Sequence, residues 1–382
     1  MKKGNILLFI LSVLVLFSCT REKKGDDVQD SFDRKEMTTF MADDYILPAF
    51  QNFKTKSMAL DNNVDDFFAT PNEANLTKVR ASLHQAYIAY QYIGFFRFGK
   101  ADHINYQYRL NTYPVSTYNV RTYAQNETYD FRSPAHISNG EIAQGLPAID
   151  YMVNGFADDD AGIMAKFTTD QYATQYKAYL KAIINEMIES SNEVLNDWNS
   201  GYRDSFVENQ SNNAAGSLSL IVNAFVSYYE SDLRAGKIGY PAGVLTPMFL
   251  PQNTDPKPQW VEARYSNQYN REYALEGLKA MKNFFNGVSF DGTKNGKSLK
   301  HYIEYLDAKQ TNLDLANKIN TNFNNAKDKI SALEPSFVNQ MNTDIMPMKD
   351  AYQALQSNVV NLKVSMPQVL NVSIAYMDTD GD

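Results

Sequence analysis

The stretch LANKINTNFNNAKDKISALEP, residues 315–335, decides the class of fold. Leu315, Ile319, Phe323, Ala326, Ile330 and Leu333 follow one another at steps of 4, 4, 3, 4 and 3. Those steps place all six on one stripe of a 3.6-residue helix and leave Asn, Lys and Asp on the other side. Pro335 closes the run, because it has no N–H for the preceding turn and its ring clashes with it. Working outward, the same period recurs on both sides. Tyr352, Leu355, Val359, Leu362 and Met366 follow, up to Pro367. Tyr273, Leu278, Met281 and Phe285 precede, stopped by Asn286-Gly287. Further upstream lie Leu218 to Leu233, then a run from Thr168 through Tyr176, Ile183 and Val194 to Trp198. Near the start, Leu76, Val79, Leu83, Ala86, Tyr90 and Ile93 form one stripe, with Thr70, Pro71 and Glu73 reading as its cap. Phe40, Leu47, Phe50, Phe53, Leu60, Val64 and Phe67 form another, in which Pro48 either kinks the helix or marks its first turn. No βαβ alternation and no cluster of hairpin turns interrupts the series, so the class is all-α, built of bundled helices. Two stretches break the period, Gly99 to Gly145 and Gly236 to about Ser266, the second with five prolines. Irregular stretches of that length are often functional. The tail Val369 to Tyr376 alternates and predicts a short strand.

Composition narrows the function. The 382 residues are 44% hydrophobic, with 25 Tyr and 22 Phe, enough for a full core without disulfides or structural metal. The net charge is −8 and no basic stretch is concentrated anywhere, which argues against nucleic acid as a partner.

The first eighteen residues read as a targeting segment. Lys2 and Lys3 precede an apolar run from Ile6 to Phe17, shorter than the roughly 20 residues a spanning helix needs. Leu16-Phe17-Ser18-Cys19 resembles the cleavage box of bacterial lipoproteins, and Cys19 is the one cysteine in the chain. That resemblance implies cleavage before Cys19, lipidation of its thiol, and attachment to a membrane by lipid without crossing it. Loss of Met1–Ser18 removes two lysines and no acids, so the charge becomes −10. Residues 19–32 are charged and aperiodic and read as a flexible tether.

Candidate chemistry is sparse. His84, His103, His136 and His301 form no HxxxH or HExxH pair, and no GxSxG elbow, P-loop or dinucleotide-binding glycine pattern occurs. A cysteine nucleophile is excluded if Cys19 is the anchor. His84, on an apolar stripe, reads as a packed histidine.

Several segments in order point to a family. They are Phe96-Arg97-Phe98-Gly99 with Tyr113-Pro114, Gly145-Leu146-Pro147-Ala148-Ile149-Asp150-Tyr151, Glu230 to Arg234 with Lys237-Ile238-Gly239-Tyr240, and Glu262-Ala263-Arg264-Tyr265-Ser266. Behind a lipoprotein box, they resemble the imelysin-like family of bacterial envelope proteins, to which the insulin-cleaving membrane protease and iron-regulated protein A are related. The resemblance covers roughly residues 35–382 and implies two helical domains, each resembling a four-helix bundle, packed around a cleft. The division falls at about 33–165 and 166–382. It also implies a GxHxxE motif near the cleft, a link to iron uptake, and a peptidase assignment. The motif departs here: Gly145 is kept, Pro147 stands in the histidine position and Asp150 in the glutamate position. Proline offers neither a ligand atom nor a base.

The candidate cleft residues are therefore Arg97, Gly99, Gly145, Pro147, Asp150, Glu230, Arg234, Lys237, Glu262 and Ser266. A cation there would take Asp150 with Glu230 or Glu262, an oxygen set suited to iron or another hard cation. The structural alternative makes Pro147 the first turn of a helix with Asp150 near its positive end. Likewise Glu230, Arg234 and Lys237 are either a solvated helix end or a charged cluster in the cleft. Three functional readings follow: an outer-membrane-anchored binding lipoprotein linked to iron uptake, a peptidase with an altered site, or an adaptor for an envelope protein.

Overall fold

Each apolar stripe becomes the face along which a helix packs. The computed structural model describes residues 30–133, 142–246, 253–310 and 314–375. The core is carried by α1 (Leu47–Ala69), α2 (Glu73–Gln91), α3 (Gly145–Asp150), α4 (Ala173–Asp197), α5 (Ser217–Ser227), α6 (Asn270–Asn286), α7 (Leu315–Ser331) and α8 (Met346–Gln356). Among the described residues there is no β-strand, only a single bridge between Val288 and Asn295. The all-α expectation holds.

The helices form two groups. α1 lies against α2 and α4, and α3 fits against α2 and α4. In the second group α7 packs on α6 and α8, and α8 packs on the continuation of α5. Contacts between α2 and α6 join the groups, and the chain from Asp33 onward forms one unit. α4, which follows the expected division near residue 165, packs on α1, and its Lys181 bonds Asp61 and Asp65 of that helix at 2.6 and 2.7 Å. α1 contributes Phe50, Phe53, Leu60, Val64 and Phe67 to the core, all buried. Each such side chain stabilises the fold by roughly 1.5–3 kcal/mol.

Pro48 sits in the first turn of α1, and a π-helical turn, Met41–Ile46, precedes it. Having no N–H, Pro48 leaves the Asp44 carbonyl without its usual helical donor. The Phe290 amide takes that place at 2.8 Å. A second π-helical segment, Tyr228–Gly239, continues α5. Its wider turn breaks the three-and-four stacking of side chains, and Glu230, Arg234 and Lys237 on it are buried, with Arg234 over the Tyr352 ring.

Other local expectations need correcting. Asn72, not Thr70, caps α2: its side chain accepts the Asn75 amide at 2.9 Å. The helix expected to open near Thr168 opens at Ala173, after Asp160–Thr168 has closed. The stretch Gly99 to Gly145 is not wholly irregular, since it forms the short helices Lys100–His103, Tyr106–Asn111 and Thr117–Asn126. Pro367 does not end the last helix but lies in the first turn of Met366–Leu370. That helix takes Val369 and Leu370, and residues 372–375 make no strand. No helix among the described residues is long and apolar enough to cross a membrane. Met1–Ser18, Cys19, His136 and residues 376–382 lie outside the described residues.

Candidate functional site

Two polar sites flank Tyr113-Pro114, and they differ in how their hydrogen bonds close. The first is built on α3. Gly145 has φ +69°, and a Cβ there would stand 2.3 Å from the Leu110 carbonyl oxygen and 2.4 Å from that of Arg109. Only glycine allows that approach. Pro147 follows in the first turn, where a missing N–H costs nothing.

Asp150 is the sixth residue of α3 and is buried, with 1% of its surface exposed. It lies beyond the first turn, so the expected stabilisation by the helix end is replaced by direct donors from a distant loop. Its Oδ2 accepts the Tyr265 amide at 2.8 Å, and its Oδ1 accepts the Ser266 amide and the Asn154 side-chain amide, each at 3.0 Å. The turn it holds includes Ala263 at φ +50°, whose carbonyl accepts the Ser266 hydroxyl at 3.1 Å. Burial pushes the Asp150 carboxyl up to about 6, against the pull of these donors.

Next to it lies a buried ion pair. Lys237 donates to Glu262 Oε2, with 4% and 3% of the side chains exposed. Glu262 Oε1 accepts from Asn111 at 2.6 Å and from Gln91 at 3.2 Å, and its backbone carbonyl accepts from Asn270 at 2.6 Å. Tyr87 and Tyr273 stack at 5.0 Å beside both carboxylates. Burial first, then the negative charges of Asp150 and Glu262, raise both phenols well above the usual range. His84 is half-buried as expected, with Nδ1 3.0 Å from the Tyr273 hydroxyl and its ring stacked on Tyr269 at 3.9 Å.

The second site is a cavity of about 510 Å³ on the other side of Tyr113-Pro114. Tyr90, Tyr108, Tyr113, Tyr240 and Trp260 wall it, and Arg97, Asn111 and Asp232 supply its polar groups. Arg97 Nη2 donates to Asp232 Oδ1 at 2.5 Å, and Arg97 Nε donates to the Gly94 carbonyl at 3.2 Å. Burial alone would lower the guanidinium pKa, but Asp232 more than offsets this and raises it.

The structure thus gathers only part of the expected set. Gly145, Pro147, Asp150 and Ser266 meet at the first site, and Lys237 and Glu262 pair beside them. Arg97 belongs to the cavity. Gly99, at φ +60°, packs against Tyr202 and serves a turn elsewhere. Glu230 and Arg234 face the second helix group: Lys363 Nζ is 3.3 Å from Glu230, and Arg234 donates to the Tyr352 hydroxyl at 2.8 Å and to Gln356. The solvated-helix-end reading of these charges is corrected, since all three are buried on the π-helical segment. Sequence reasoning missed Gln91, Asn111, Asp232 and Asn270, although Asn111 falls in a stretch singled out as irregular.

The expected hard-cation set does not fit a resident ion. Asp150 faces N–H donors on both oxygens, Glu262 faces an ammonium, and Glu230 faces another. Among the described residues no three His, Cys, Asp or Glu side chains come together.

The imelysin family model (peptidase M75) matches residues 46–365, which is most of the chain. The chain belongs to the imelysin family. Two solved structures share its fold. One is described as an iron-regulated protein A precursor from Parabacteroides distasonis ATCC 8503. It has a TM-score of 0.68 and 17% identity, over 88% of this chain and 95% of that one. The other is an imelysin-like protein from Psychrobacter arcticum 273-4, with a TM-score of 0.66 and 13% identity, over 91% and 99%. No curated protein matches. Within this imelysin fold, the Gly145–Asp150 segment acts as a brace for the 263–266 turn, and the open volume lies next to it.

Proposed function

We propose that this imelysin-family chain is a binding lipoprotein of the bacterial envelope, anchored through Cys19 to the outer membrane and linked to iron handling, and not a peptidase. The observation that carries this reading is the cavity beside Tyr113-Pro114. Its volume is in the range of small-molecule sites, it is walled mainly by aromatic rings, and a few polar groups converge on it. The segment where a peptidase centre is expected has neither base nor nucleophile free to act. Pro147 lacks an imidazole, and Asp150 is held by three N–H groups. The iron link is supported by the description of the Parabacteroides distasonis structure. Because the carboxylates do not suit a resident ion, the reading is of an organic ligand in the cavity.

Native mass spectrometry of the lipoprotein released gently from its producing cells tests this. A small molecule should co-purify with the natural chain and be absent from Ser231→Phe, which places a ring in the cavity. Identical spectra for both, or cleavage of a denatured protein substrate that chelators abolish, would overturn the reading.

A further inference from the structure

We infer that the cavity takes an uncharged aromatic compound, and that the Arg97–Asp232 ion pair at its edge is what excludes ions of either sign. The inference rests on the cavity being the binding site and specifies the chemistry of its ligand. It starts from where the polar groups of the lining are spent. Gln107 donates its side-chain amide to the Phe96 carbonyl at 2.9 Å, and the Thr112 hydroxyl donates to the Tyr108 carbonyl at 2.7 Å. Asn111 gives its Nδ2 to Glu262, and its Oδ1 is sealed from the cavity. Asp232 Oδ2 is sealed in the same way. What faces the open volume is mainly the five rings, with Pro114 and Ile142 between them. Tyr240 and Trp260 stand as a tilted pair with centroids 5.8 Å apart, and an aromatic ligand extends such contacts beyond what its buried area alone supplies.

The charges balance. Arg97 and Asp232 are the charged side chains among the described lining residues, and they pair. The guanidinium is committed on three sides: Nη2 to Asp232, Nε to the Gly94 carbonyl, and its face over the Tyr108 ring at 5.6 Å. Behind Asn111, Lys237 and Glu262 cancel likewise. An ion of either sign entering here gives up its water and finds each opposite charge already matched, so its desolvation goes uncompensated. An uncharged ring bears no such cost and removes apolar surface from water on both sides. The polar contact on offer is neutral too. The Tyr113 hydroxyl lies toward Gly236, another lining residue, where a Cβ would stand 3.5 Å from it. Burial first, then Glu262 and Asp232, raise that phenol well above the usual range, so it meets a ligand as a neutral donor, suited to a hydroxyl or carbonyl oxygen.

Calorimetry with three probes that share one body tests this: 3-phenylpropanol, 3-phenylpropanoate and 3-phenylpropylammonium. The natural chain should bind the alcohol about tenfold more tightly than either ion. Tryptophan emission places the event in the cavity. The second tryptophan, Trp198, is packed between Phe98 and Phe206, so the change on binding should vanish in Trp260→Phe. Two variants then read the ion pair. Asp232→Asn frees Arg97 Nη2 and should raise carboxylate affinity, relative to the alcohol, about tenfold. Arg97→Gln frees Asp232 Oδ1 and should raise ammonium affinity, relative to the alcohol, by about the same factor. 3-Cyclohexylpropanol should bind the natural chain about threefold more weakly than 3-phenylpropanol. In the natural chain, an ion bound as tightly as the alcohol, or the cyclohexyl alcohol as tightly as the phenyl one, overturns the inference and leaves the cavity as a binding site. An unmoved ratio in either variant overturns the role given to the pair. No heat and no emission change with any probe at millimolar concentration also overturns the inference, and the co-purification experiment then decides the binding reading separately.

Discussion

The site around Asp150 and Glu262 and the cavity around Arg97 and Asp232 share Tyr113-Pro114 as a wall, yet one is closed and the other open. In the closed site every carboxylate oxygen of Asp150 and Glu262 has a donor. In the open one, Arg97 and Asp232 pair at the edge of a cavity of about 510 Å³. A buried carboxylate whose oxygens all have donors is held in place with its neighbours, whereas the ion pair of Arg97 and Asp232 stands beside open volume. The difference teaches that the motif position and the open volume are not the same place in this imelysin-family chain. Gly145, Pro147 and Asp150 brace a turn, and the open volume lies across Tyr113.

Removing the cation from the closed site should give the largest effect. Lys237→Met leaves the Glu262 carboxylate buried and unpaired, which costs about 3–5 kcal/mol. The same change on the cavity side, Asp232→Asn, leaves Arg97 partly hydrated and should cost about 1 kcal/mol or less, because both side chains reach solvent, at 16% and 29% exposure. Urea unfolding measures both. Equal losses would mean that the two sites are not closed and open in the sense described.

The helices were legible because the apolar stripes are long and regular, as in 315–333. The core positions of α1, α2, α6 and α7 follow directly from those stripes. The site was legible only in part. The segment Tyr228–Gly239 is π-helical, which no spacing marks, so the sequence left Glu230, Arg234 and Lys237 either on a solvated helix end or in a charged cluster. The partners of Asp150 are backbone amides of Tyr265 and Ser266, groups that every residue possesses and no sequence pattern marks. Asn111 and Gln91 look like common polar residues of a loop and a helix. Their meaning appears only when Glu262 is folded between them.

The closed site also sets a pH dependence of intermediate size. Folding raises the Asp150 carboxyl from an ordinary 3.8 to about 6, so the folded protein holds this proton more tightly than the unfolded chain. The stability that Asp150 contributes is fully present below pH 4 and is lost as the pH rises through 6, an amount of about 3 kcal/mol. Asp150→Asn has no such titration. The stability difference, natural chain minus Asp150→Asn, should therefore fall by about 3 kcal/mol between pH 3 and pH 8. A flat difference would show that Asp150 is not enclosed as described. A rise would show that it behaves as an exposed paired carboxylate, and the comparison with the cavity would collapse.

The smallest effect on stability is expected from restoring an imidazole, and it probes the comparison most directly. Pro147→His puts the missing motif side chain into the first turn of α3. Loss of the proline ring frees the unfolded chain and costs about 0.4–1 kcal/mol. The new amide falls where a helix leaves N–H groups without internal partners, so the fold accepts it. What the histidine does not gain is a second ligand. Asp150 still faces the amides of Tyr265 and Ser266, and Glu262 still faces Lys237. Elemental analysis of Pro147→His should find no stoichiometric zinc or iron, and chelators should have no hydrolysis to abolish. If one substitution produced a metal-dependent peptidase, the donors around Asp150 would have to yield to an ion. The closed site would then be a catalytic centre lacking a single ring.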